Sequence, residues 1–274
     1  MPELPEVETV RRELCELVGL RIERTTVLTP SLIRCQDADR FAAEATGKVI
    51  GAVDRRGKYL LIRLEPGSDL VVHLRMAGRL YINRPEDPIE KHTHVIFDLS
   101  DGRQLRYIDL RHFGLICLVA RGDYGELGLL TRLGPEPLSN AFTAAYFRAG
   151  LARRRGPIKA ALLDQEFIAG IGNIYADESL FRARIRPDRS AASLTRAEAD
   201  RLRRAIRETL VDALAFGGTT FSTYRRADGR KGEFAAQLKV YGHAGEPCPR
   251  CGRERIVRRR IGGRSAHYCS ACQR

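Results

Sequence analysis

The hydrophobic pattern of the chain changes from strand-like to helical near its middle. Residues 4–18 carry apolar side chains at spacings of three and four, which predicts a helix with one buried face. From about residue 21 to 120 the pattern consists of short β-rich runs, and the Asp101-Gly102 step between two of them predicts a hairpin. We therefore expect a β-sandwich or barrel with the first helix packed on it. The apolar positions of that helix are Val7, Val10, Leu14 and Leu17.

From about residue 135 onward the pattern is helical. Thr195 and Glu198 have the spacing of a capping box, which predicts a long helix over about 196–215 that ends at Gly217-Gly218. The glycine-rich segment 170–173 precedes another apolar helical pattern, so we expect a tight turn that leads into a helix. Backbone N–H groups and the helix dipole at such a turn suit a phosphate, although a plain connection between two helices explains the residues equally well.

The length and these pattern changes predict three domains. A chain of 274 residues exceeds one typical domain, and the change from β to α falls near Leu133-Gly134-Pro135. We expect a β-rich domain over 1–133, a helical domain over 134–238 and a small cysteine-rich module over 239–274. Segment 217–234 is polar, glycine-rich and basic, so we expect it to form a mobile loop.

Four of the seven cysteines have the spacing of a zinc site. They form two Cys-x2-Cys pairs separated by 17 residues that can fold as a β-hairpin. Disulfide bonds between them are the alternative. The other cysteines, Cys15, Cys35 and Cys117, are isolated, and we expect buried or inert thiols there. The predicted zinc ligands are Cys248, Cys251, Cys269 and Cys272.

The charge of the chain points to a polyanionic partner. The net charge is +13 and the pI is about 9.8, and the last 36 residues alone carry nine Lys or Arg against two Glu. No apolar run approaches the 18 residues or so that a membrane span needs, and the acidic start lacks the apolar core of a signal peptide. We therefore expect a cytoplasmic protein with reduced thiols.

The first six residues, Met-Pro-Glu-Leu-Pro-Glu, combine a candidate nucleophile with two carboxyl groups. A starting Met before a small residue such as Pro2 is usually removed, which leaves a secondary amine with a pKa of about 8. Its attack on a sugar C1′ would give an iminium, which withdraws electrons strongly, and Glu3 and Glu6 are candidate acid/base groups. An ordinary helix start with Pro and acidic residues in the first turn is the alternative explanation.

Motifs along essentially the whole chain resemble bacterial formamidopyrimidine-DNA glycosylase. The resemblance implies an α+β multidomain fold with an N-terminal β-sandwich, a helix–two-turn–helix domain with a lesion-capping loop at 217–234, and a C-terminal finger that holds one structural zinc. It also implies a monomeric, nucleoid-associated bacterial repair enzyme. Such an enzyme excises oxidised purines (8-oxoguanine and formamidopyrimidines) from duplex DNA and cuts the abasic site by β,δ-elimination. The motifs are MPELPEVET, RRGKYLL, HLRMAGRL, RYIDLRHFG, LGPEPL, GIGNIYADESLF and YGHAGEPCPRCG with HYCSACQR.

The resemblance also implies a role for individual residues. Pro2 would be the nucleophile and Glu3 the acid/base group, while Lys58 and Arg264 would act at the phosphates of the lesion. Glu6 would contact the lesion or an ordered water. The residues that would fill the void left by the extruded nucleotide are Met76, Arg111 and Phe113, and the remaining DNA contacts would be His92, Arg154, Lys159 and Asn173.

Without their flanking motifs, several of these residues have simpler explanations. Lys58 would be a solvated charge on a strand, and Met76 and Phe113 would be core residues. A non-catalytic, zinc-dependent DNA-binding protein also explains the charge and the cysteines, but it leaves the Pro2-Glu3 start unexplained. An endonuclease VIII-type enzyme for oxidised pyrimidines shares the Pro-Glu start, whereas the following Leu-Pro-Glu-Val-Glu-Thr favours the formamidopyrimidine branch.

Overall fold

The computed structural model of the protein describes residues 1–128, 130–220 and 224–274. The chain forms two units, and each is made of two separate stretches of sequence. The N-terminal unit comprises Met1–Thr131 and Phe216–Glu233, and the C-terminal unit comprises Arg132–Ala215 and Phe234–Arg274. The division into three domains therefore stays a prediction, and segment 216–233 groups with the N-terminal unit.

The N-terminal unit begins with the predicted amphipathic helix. Helix α1 spans Leu4–Leu14 and continues as a short 3-10 turn, Cys15–Leu17. The four apolar residues of the predicted face are each at most 1% exposed. They pack into one core with alternating side chains of the strands that follow, which confirms the predicted sandwich with a packed helix.

Two sheets and one further helix complete this core. The elements are β1 Ile22–Val27, β2 Ile33–Arg34, α2 Ala38–Ala45, β3 Val49–Arg56, β4 Tyr59–Glu65, β5 Ser68–His73, β6 Gly78–Asn83, β7 Thr93–Leu99, β8 Gln104–Asp109 and β9 Leu115–Ala120. One sheet has the strand order β1-β7-β8-β6 and the other has the order β2-β9-β5-β4-β3, with every neighbouring pair antiparallel except β2 and β9. Helix α2, which the sequence pattern did not predict, is capped by Asp37 and buries only Phe41 and Ala45.

The described parts of segment 216–233 are bound to the N-terminal unit. Tyr224 and Ala227 belong to its core, and the N–H of Ile82 on β6 donates to the Ala227 carbonyl at 3.1 Å. On α1, Glu13 accepts hydrogen bonds from the Ala227 N–H at 2.7 Å and from the Arg226 guanidinium. The centre of the predicted lesion-capping loop, 221–223, lies outside the described residues, and its mobility stays a prediction.

The C-terminal unit is helical and ends in a two-stranded ribbon. Its core is rich in aromatic side chains, and the rings of Phe147 and Phe167 stack at 5.8 Å. The predicted long helix, its glycine end and the hairpin between the cysteine pairs are all confirmed. The elements are α3 Ala144–Ala152, α4 Ile158–Leu163, α5 Asn173–Ala183, α6 Arg196–Ala215, β10 Val257–Ile261 and β11 Arg264–Tyr268. No helix in the described part of the chain combines the length and apolar character needed to cross a membrane.

The expectation of free thiols is wrong for two of the three isolated cysteines. Cys35 and Cys117 form a disulfide with their Cα atoms 5.8 Å apart, whereas Cys15 is a free, exposed thiol whose inertness stays a prediction. Strand β2 pairs with β9 in parallel, and Arg34 lies opposite Cys117. Because Cys35 is the residue after Arg34, it lies close to Cys117. This proximity arises from strand pairing across 82 residues of sequence, which spacing alone does not reveal.

The capping box of α6 generates a prediction about stability and pH. The Glu198 carboxylate accepts the Thr195 N–H at 2.8 Å and binds the Arg189 guanidinium at 2.6 Å. The hydrogen bond from Arg189 is the main cause that lowers the pKa of Glu198 from 4.5 to about 2. An acid with a lowered pKa stabilises the fold above its unfolded pKa and loses that contribution as the pH falls toward its folded pKa.

We therefore expect Glu198→Gln to lower the free energy of unfolding by about 1 kcal/mol at pH 7. The difference from wild type should shrink as the pH falls from about 4.5 toward 2. Denaturant unfolding at pH 7 and at pH 3 measures it. Glu208→Gln on the same helix is the control, since that carboxylate is 60% exposed and lies 3.6 Å from its Arg182 partner. A difference for Glu198→Gln that is the same at both pH values would contradict the prediction.

Candidate active site and metal centre

The start of α1 places two buried carboxyl groups beside residue 2. Glu3 is the residue before the first helical turn, and its N–H donates to Glu6 Oε2 at 2.7 Å in a capping box. Glu3 and Glu6 are 2% and 1% exposed, and Pro2 is also buried. With the exposed Met1 attached, the nitrogen of Pro2 is an amide nitrogen, so a nucleophilic amine exists only after Met1 is removed. The helix start therefore fixes the candidate nucleophile next to candidate acid/base groups.

Glu6 also binds segment 216–233 of the same unit. Its Oε1 accepts the Thr219 N–H at 2.7 Å, a buried hydrogen bond. A Cβ at Gly218 would lie 2.8 Å from the same oxygen, and Gly218 has a φ of +81°, so this position requires glycine. Both oxygens of Glu6 thus accept backbone N–H groups, and the role predicted for it at the lesion stays a prediction.

Lys58 lies in a hairpin turn and is nearly buried. Gly57 and Lys58 form the two-residue turn between β3 and β4, with Gly57 at a φ of +58°, and Lys58 is 6% exposed. Lys58 is thus not a solvated charge on a strand. The pKa of the adjacent His73 is lowered to about 3, mainly by burial and next by the positive charges of Arg75 and Lys58. His73 is therefore neutral, and its Nδ1 accepts the Arg75 N–H at 3.0 Å, which fixes the start of the loop that carries Met76.

The three predicted void-filling residues lie on two loops of the N-terminal unit. Met76 and Phe113 are 40% and 56% exposed, which rules out the explanation that they are core residues. The guanidinium of Arg111 stacks over the Phe113 ring at 4.8 Å. Leu110, which the sequence analysis did not single out, is 50% exposed in the same loop. The loop between β8 and β9 thus presents an apolar and cationic tip.

Asp109 at the end of β8 holds this loop in place. Its fully buried carboxylate accepts the Arg111 N–H at 3.0 Å and the Gly114 N–H at 2.7 Å. The His94 ring donates through Nε2 to the Asp109 carbonyl at 2.9 Å. A Cβ at Gly114 would lie 1.7 Å from the Tyr107 hydroxyl, so only glycine fits there. Sequence reasoning missed Asp109, although an Asp at a strand end five residues before a Gly was a usable signal.

In the C-terminal unit, the glycine turn leads into α5 as predicted. Gly170 has a φ of +95°, and Asn173 is the first residue of the helix. Gln165 braces the turn, since its Oε1 accepts the Gly170 N–H at 2.9 Å and its Nε2 donates to the Ile171 carbonyl at 2.8 Å. The side-chain oxygen of Asn173 is buried without a hydrogen-bond partner among the described residues. This oxygen is an acceptor and cannot bind an anion, so a phosphate at this turn would be bound by the Nδ2 donor of Asn173 and by the helix N-terminus.

The other side chains predicted to contact the DNA backbone differ in their exposure and in their partners within the protein. The Arg154 guanidinium pairs with Asp164 at 2.8 Å and lies 4.0 Å from the centre of the Phe167 ring. Lys159 is 0% exposed, and its predicted contact with the DNA backbone stays a prediction. His92, in the N-terminal unit, is half-buried with its ring 6.3 Å from that of His112.

Arg264 stands at the tip of the zinc hairpin. Ile261 pairs with Arg264 across a two-residue turn, in which Gly262 and Gly263 have φ values of +57° and +78°. Arg264 is exposed. The guanidinium of Arg264 at the tip of the hairpin is therefore exposed to solvent.

The four C-terminal cysteines fit a tetrahedral zinc ion. Their sulfur atoms all lie within 4.8 Å of one another, and the Cys248–Cys272 and Cys251–Cys269 Sγ distances are both 3.8 Å. Zinc–sulfur bonds of about 2.3 Å give tetrahedral edges of about 3.8 Å. The set of four thiolates at this spacing is thus that of a closed structural zinc site, as the sequence predicts.

Gln273 ties the metal centre to the helical unit. Its Oε1 accepts the Cys269 N–H at 2.9 Å, and its Nε2 donates to the Ile185 carbonyl at 2.8 Å. The side chain is 0% exposed. Sequence reasoning missed this residue, because nothing in the local pattern shows that the second cysteine pair packs on the end of α5.

Comparisons with known proteins agree with this architecture along the whole chain. The family model of the formamidopyrimidine-DNA glycosylase N-terminal domain matches residues 1–116, and that of the H2TH domain of the same enzymes matches residues 133–225. A model described as a zinc finger found in FPG and IleRS matches residues 245–274. These three matches define a DNA glycosylase that carries a zinc finger.

Individual relatives and solved structures agree with the family models. Formamidopyrimidine-DNA glycosylase of Symbiobacterium thermophilum is 52% identical over 274 residues, which cover 100% of this chain and 89% of that protein. The crystal structure of the MutM (Fpg) protein from Thermus thermophilus has a TM-score of 0.90 at 49% identity and covers 99% of this chain and 98% of that one. Lactococcus lactis Fpg in complex with abasic-site DNA has a TM-score of 0.93 at 37% identity, with 99% of each chain covered.

The chain belongs to the formamidopyrimidine-DNA glycosylase family. It is a DNA-repair glycosylase that acts on damaged bases and has the abasic-site lyase activity of the family. This membership decides against a non-catalytic zinc-dependent DNA-binding protein. It also places the chain in the formamidopyrimidine branch rather than with endonuclease VIII.

The metal centre generates a second prediction. We expect one zinc per chain in the purified protein and its loss in Cys248→Ser, because three thiolates hold the ion far less well than four. Since the hairpin folds around the metal, the variant should also unfold at lower temperature and lose DNA affinity. Elemental analysis and thermal unfolding measure these effects. Cys15→Ser, at an exposed thiol outside the cluster, is the control and should keep its zinc. Active protein without zinc would contradict the prediction.

Proposed function

We propose that the protein excises oxidised purines, chiefly 8-oxoguanine and formamidopyrimidines, from duplex DNA and cuts the abasic site by β,δ-elimination. The observation that carries the proposal is the buried capping box of Glu3 and Glu6, which holds residue 2 at the start of α1 beside two carboxyl groups. Structures of the Lactococcus lactis relative contain Fapy-dG DNA and abasic-site DNA, which supports the same substrates here. Another structure of that relative contains an oxidised pyrimidine, so a substrate panel should include one.

The proposed chemistry starts at the amine of Pro2 after Met1 has been removed. An α-amine with a pKa near 8 is partly neutral at pH 7 and can attack C1′ of an extruded nucleotide. The C1′–N bond forms as the bond to the damaged base breaks, and the departing base takes up the proton that the amine loses. Glu3 then protonates the sugar oxygen as the ring opens to the iminium. The resulting iminium acidifies the C2′ proton. Its removal expels the 3′ phosphate, and a second elimination expels the 5′ phosphate.

Two cations would act on the phosphates of the lesion. Lys58 is held nearly buried in a tight turn, so its ammonium is fixed in position with little freedom to move. Arg264 stands exposed at the hairpin tip, where a planar guanidinium can bind phosphate through two hydrogen bonds. Arginine stays protonated at all relevant pH values, so we assign Arg264 to holding the phosphate that leaves in δ-elimination rather than to donating a proton.

The loops of Met76 and Phe113 would occupy the void that the extruded nucleotide leaves. An exposed aromatic ring and a thioether can insert between base pairs, and the cationic Arg111 can hydrogen-bond the base left opposite. Asp109 supports this role because it fixes the loop before DNA arrives. Binding of the DNA backbone would involve Asn173 at the start of α5, together with Arg154 and His92. The net charge of +13 supports a duplex as partner.

A third prediction tests the nucleophile. Borohydride reduces an iminium to a stable amine, so the mature enzyme should become covalently linked to DNA that contains 8-oxoguanine. Pro2→Gly replaces the secondary amine with a primary amine and should retain part of the trapping, whereas a chain with a retained or extended N-terminus should not be trapped. Intact-mass measurement verifies the N-terminus of each sample. Full trapping of a blocked N-terminus would overturn the proposal and point to an internal Lys.

A fourth prediction separates base extrusion from chemistry. Phe113→Ala should slow excision of paired 8-oxoguanine on the order of tenfold, yet change cleavage of a pre-formed abasic site much less, because that substrate needs no base extrusion. Glu3→Gln should lose base excision while it still binds lesion DNA. Single-turnover assays of both variants on both substrates measure this.

Val18→Ala is the control for the loss of an exposed apolar side chain, since Val18 is 44% exposed and lies outside both loops. It should behave as wild type on both substrates. Equal damage by Phe113→Ala to the two reactions would show that Phe113 does not act as a wedge.

A further inference from the structure

We propose that a buried cluster of Lys159, Asp177 and Glu178 is a positioning device that fixes the hairpin of Arg264 relative to the phosphate turn at Asn173. The inference rests on the proposed function, because it assigns these three residues to the placement of two proposed phosphate-binding groups. All the residues concerned belong to the C-terminal unit. None of the three has a side chain at the surface, since Lys159, Asp177 and Glu178 are 0%, 1% and 6% exposed.

The cluster joins α4, α5 and β11 at one point. From α4, the Lys159 ammonium donates to Asp177 Oδ1 on α5 at 2.6 Å and to the carbonyl of Ser265 on β11. The other oxygen of Asp177 accepts the backbone N–H of His267 at 2.9 Å. Ser265 directly follows Arg264, so the polar contacts fix the strand at the residue next to the proposed phosphate ligand.

Glu178, the next residue on α5, holds the chain where it enters the zinc module. Its carboxylate accepts the backbone N–H groups of Lys239, Val240 and Tyr241 at 2.9 to 3.1 Å. The Tyr241 ring in turn contacts the His267 ring at 4.9 Å. Two adjacent acidic residues of one helix therefore bind both the entering segment and the second strand of the hairpin.

The same helix begins at the phosphate turn. Asn173 precedes Asp177 by four residues, which is about one helical turn or roughly 6 Å along the axis. The path from Asn173 to Arg264 thus runs through one helical turn and the two hydrogen bonds that the Lys159 ammonium donates. Gly262 at the hairpin turn also approaches α4 closely, since a Cβ there would lie 2.9 Å from Ala160.

Stability alone does not account for such a cluster. Taking a Lys and an Asp out of water costs several kcal/mol per ion, and apolar residues of similar volume often stabilise a fold equally well. Directional hydrogen bonds to named backbone atoms, in contrast, define one register and one orientation of the strand. Since a displacement of about 1 Å can slow a reaction about a hundredfold, a fixed hairpin is what a phosphate-holding arginine needs.

The test measures the ratio of δ- to β-elimination products, which form from the same iminium intermediate. Lys159→Met keeps an unbranched side chain, one heavy atom shorter than that of Lys, but cannot donate to Ser265. On a duplex with a pre-formed abasic site, we expect the ratio of δ- to β-elimination products to fall about tenfold, while borohydride trapping falls less than about threefold. A loss of folded protein lowers both products alike, so a purely structural role would leave the ratio unchanged. Zinc content and melting temperature are measured on the same samples.

A second variant controls for the unpaired buried charge that Lys159→Met leaves on Asp177. The double variant Lys159→Met with Asp177→Asn removes both charges, and it should show the same shift in product ratio. Arg148→Met is the control, because it breaks the Arg148–Asp200 ion pair of 2.8 Å in the same unit, away from the hairpin. Its product ratio should equal that of wild type.

An unchanged product ratio in folded, zinc-loaded Lys159→Met and in the double variant would overturn the inference. Loss of zinc from both variants would overturn it as well, since the cluster would then serve to build the metal site. Failure of the proposed function is distinguishable, because wild-type enzyme would then give no δ-elimination product on the abasic duplex, or a blocked N-terminus would leave its trapping intact.

Discussion

The N-terminal unit depends on the two hydrogen bonds that the carboxylate of Glu6 accepts. One of its oxygens accepts the Glu3 N–H and so fixes the start of α1, where the candidate nucleophile lies. The other accepts the Thr219 N–H, which binds a segment more than 200 residues away in sequence. A buried carboxylate with two N–H partners is stable in this position, whereas one that loses a partner would carry a large desolvation penalty. The geometry beside residue 2 and the placement of segment 216–233 are therefore coupled.

Three further buried acids of this basic protein also hold backbone segments in place. Asp109 fixes the exposed loop of Arg111 and Phe113, and Asp177 and Glu178 fix the approach to the hairpin of Arg264. In each case the carboxylate accepts backbone N–H groups, and the segment that it holds presents a basic or apolar side chain outward. Acidic groups on the surface would repel a polyanion, but buried ones can organise the binding loops without opposing the positive field.

Much of the fold and the chemistry of the site could be predicted from local patterns. The face of α1, the capping box of α6 and the four zinc ligands depend on residues a few positions apart, whose spacing directly sets their geometry. Prediction failed where distant segments meet. The disulfide between Cys35 and Cys117 depends on a strand register, and helix α2 buries only two residues, too few to stand out in the pattern.

The sequence by itself determined which chemical groups this protein has: an N-terminal Pro-Glu pair, a four-thiolate metal site, a glycine turn before a helix and an excess of positive charge. Only the tertiary structure decided which of these groups face solvent. In the folded protein Lys159 is buried against Asp177, and Phe113 and Met76 are exposed. Both oxygens of Glu6 accept hydrogen bonds from backbone N–H groups of the same chain. The physical reason is that burial and hydrogen-bond partners are set by packing between segments distant in sequence, so a charged or aromatic residue takes its role from neighbours that no local pattern contains.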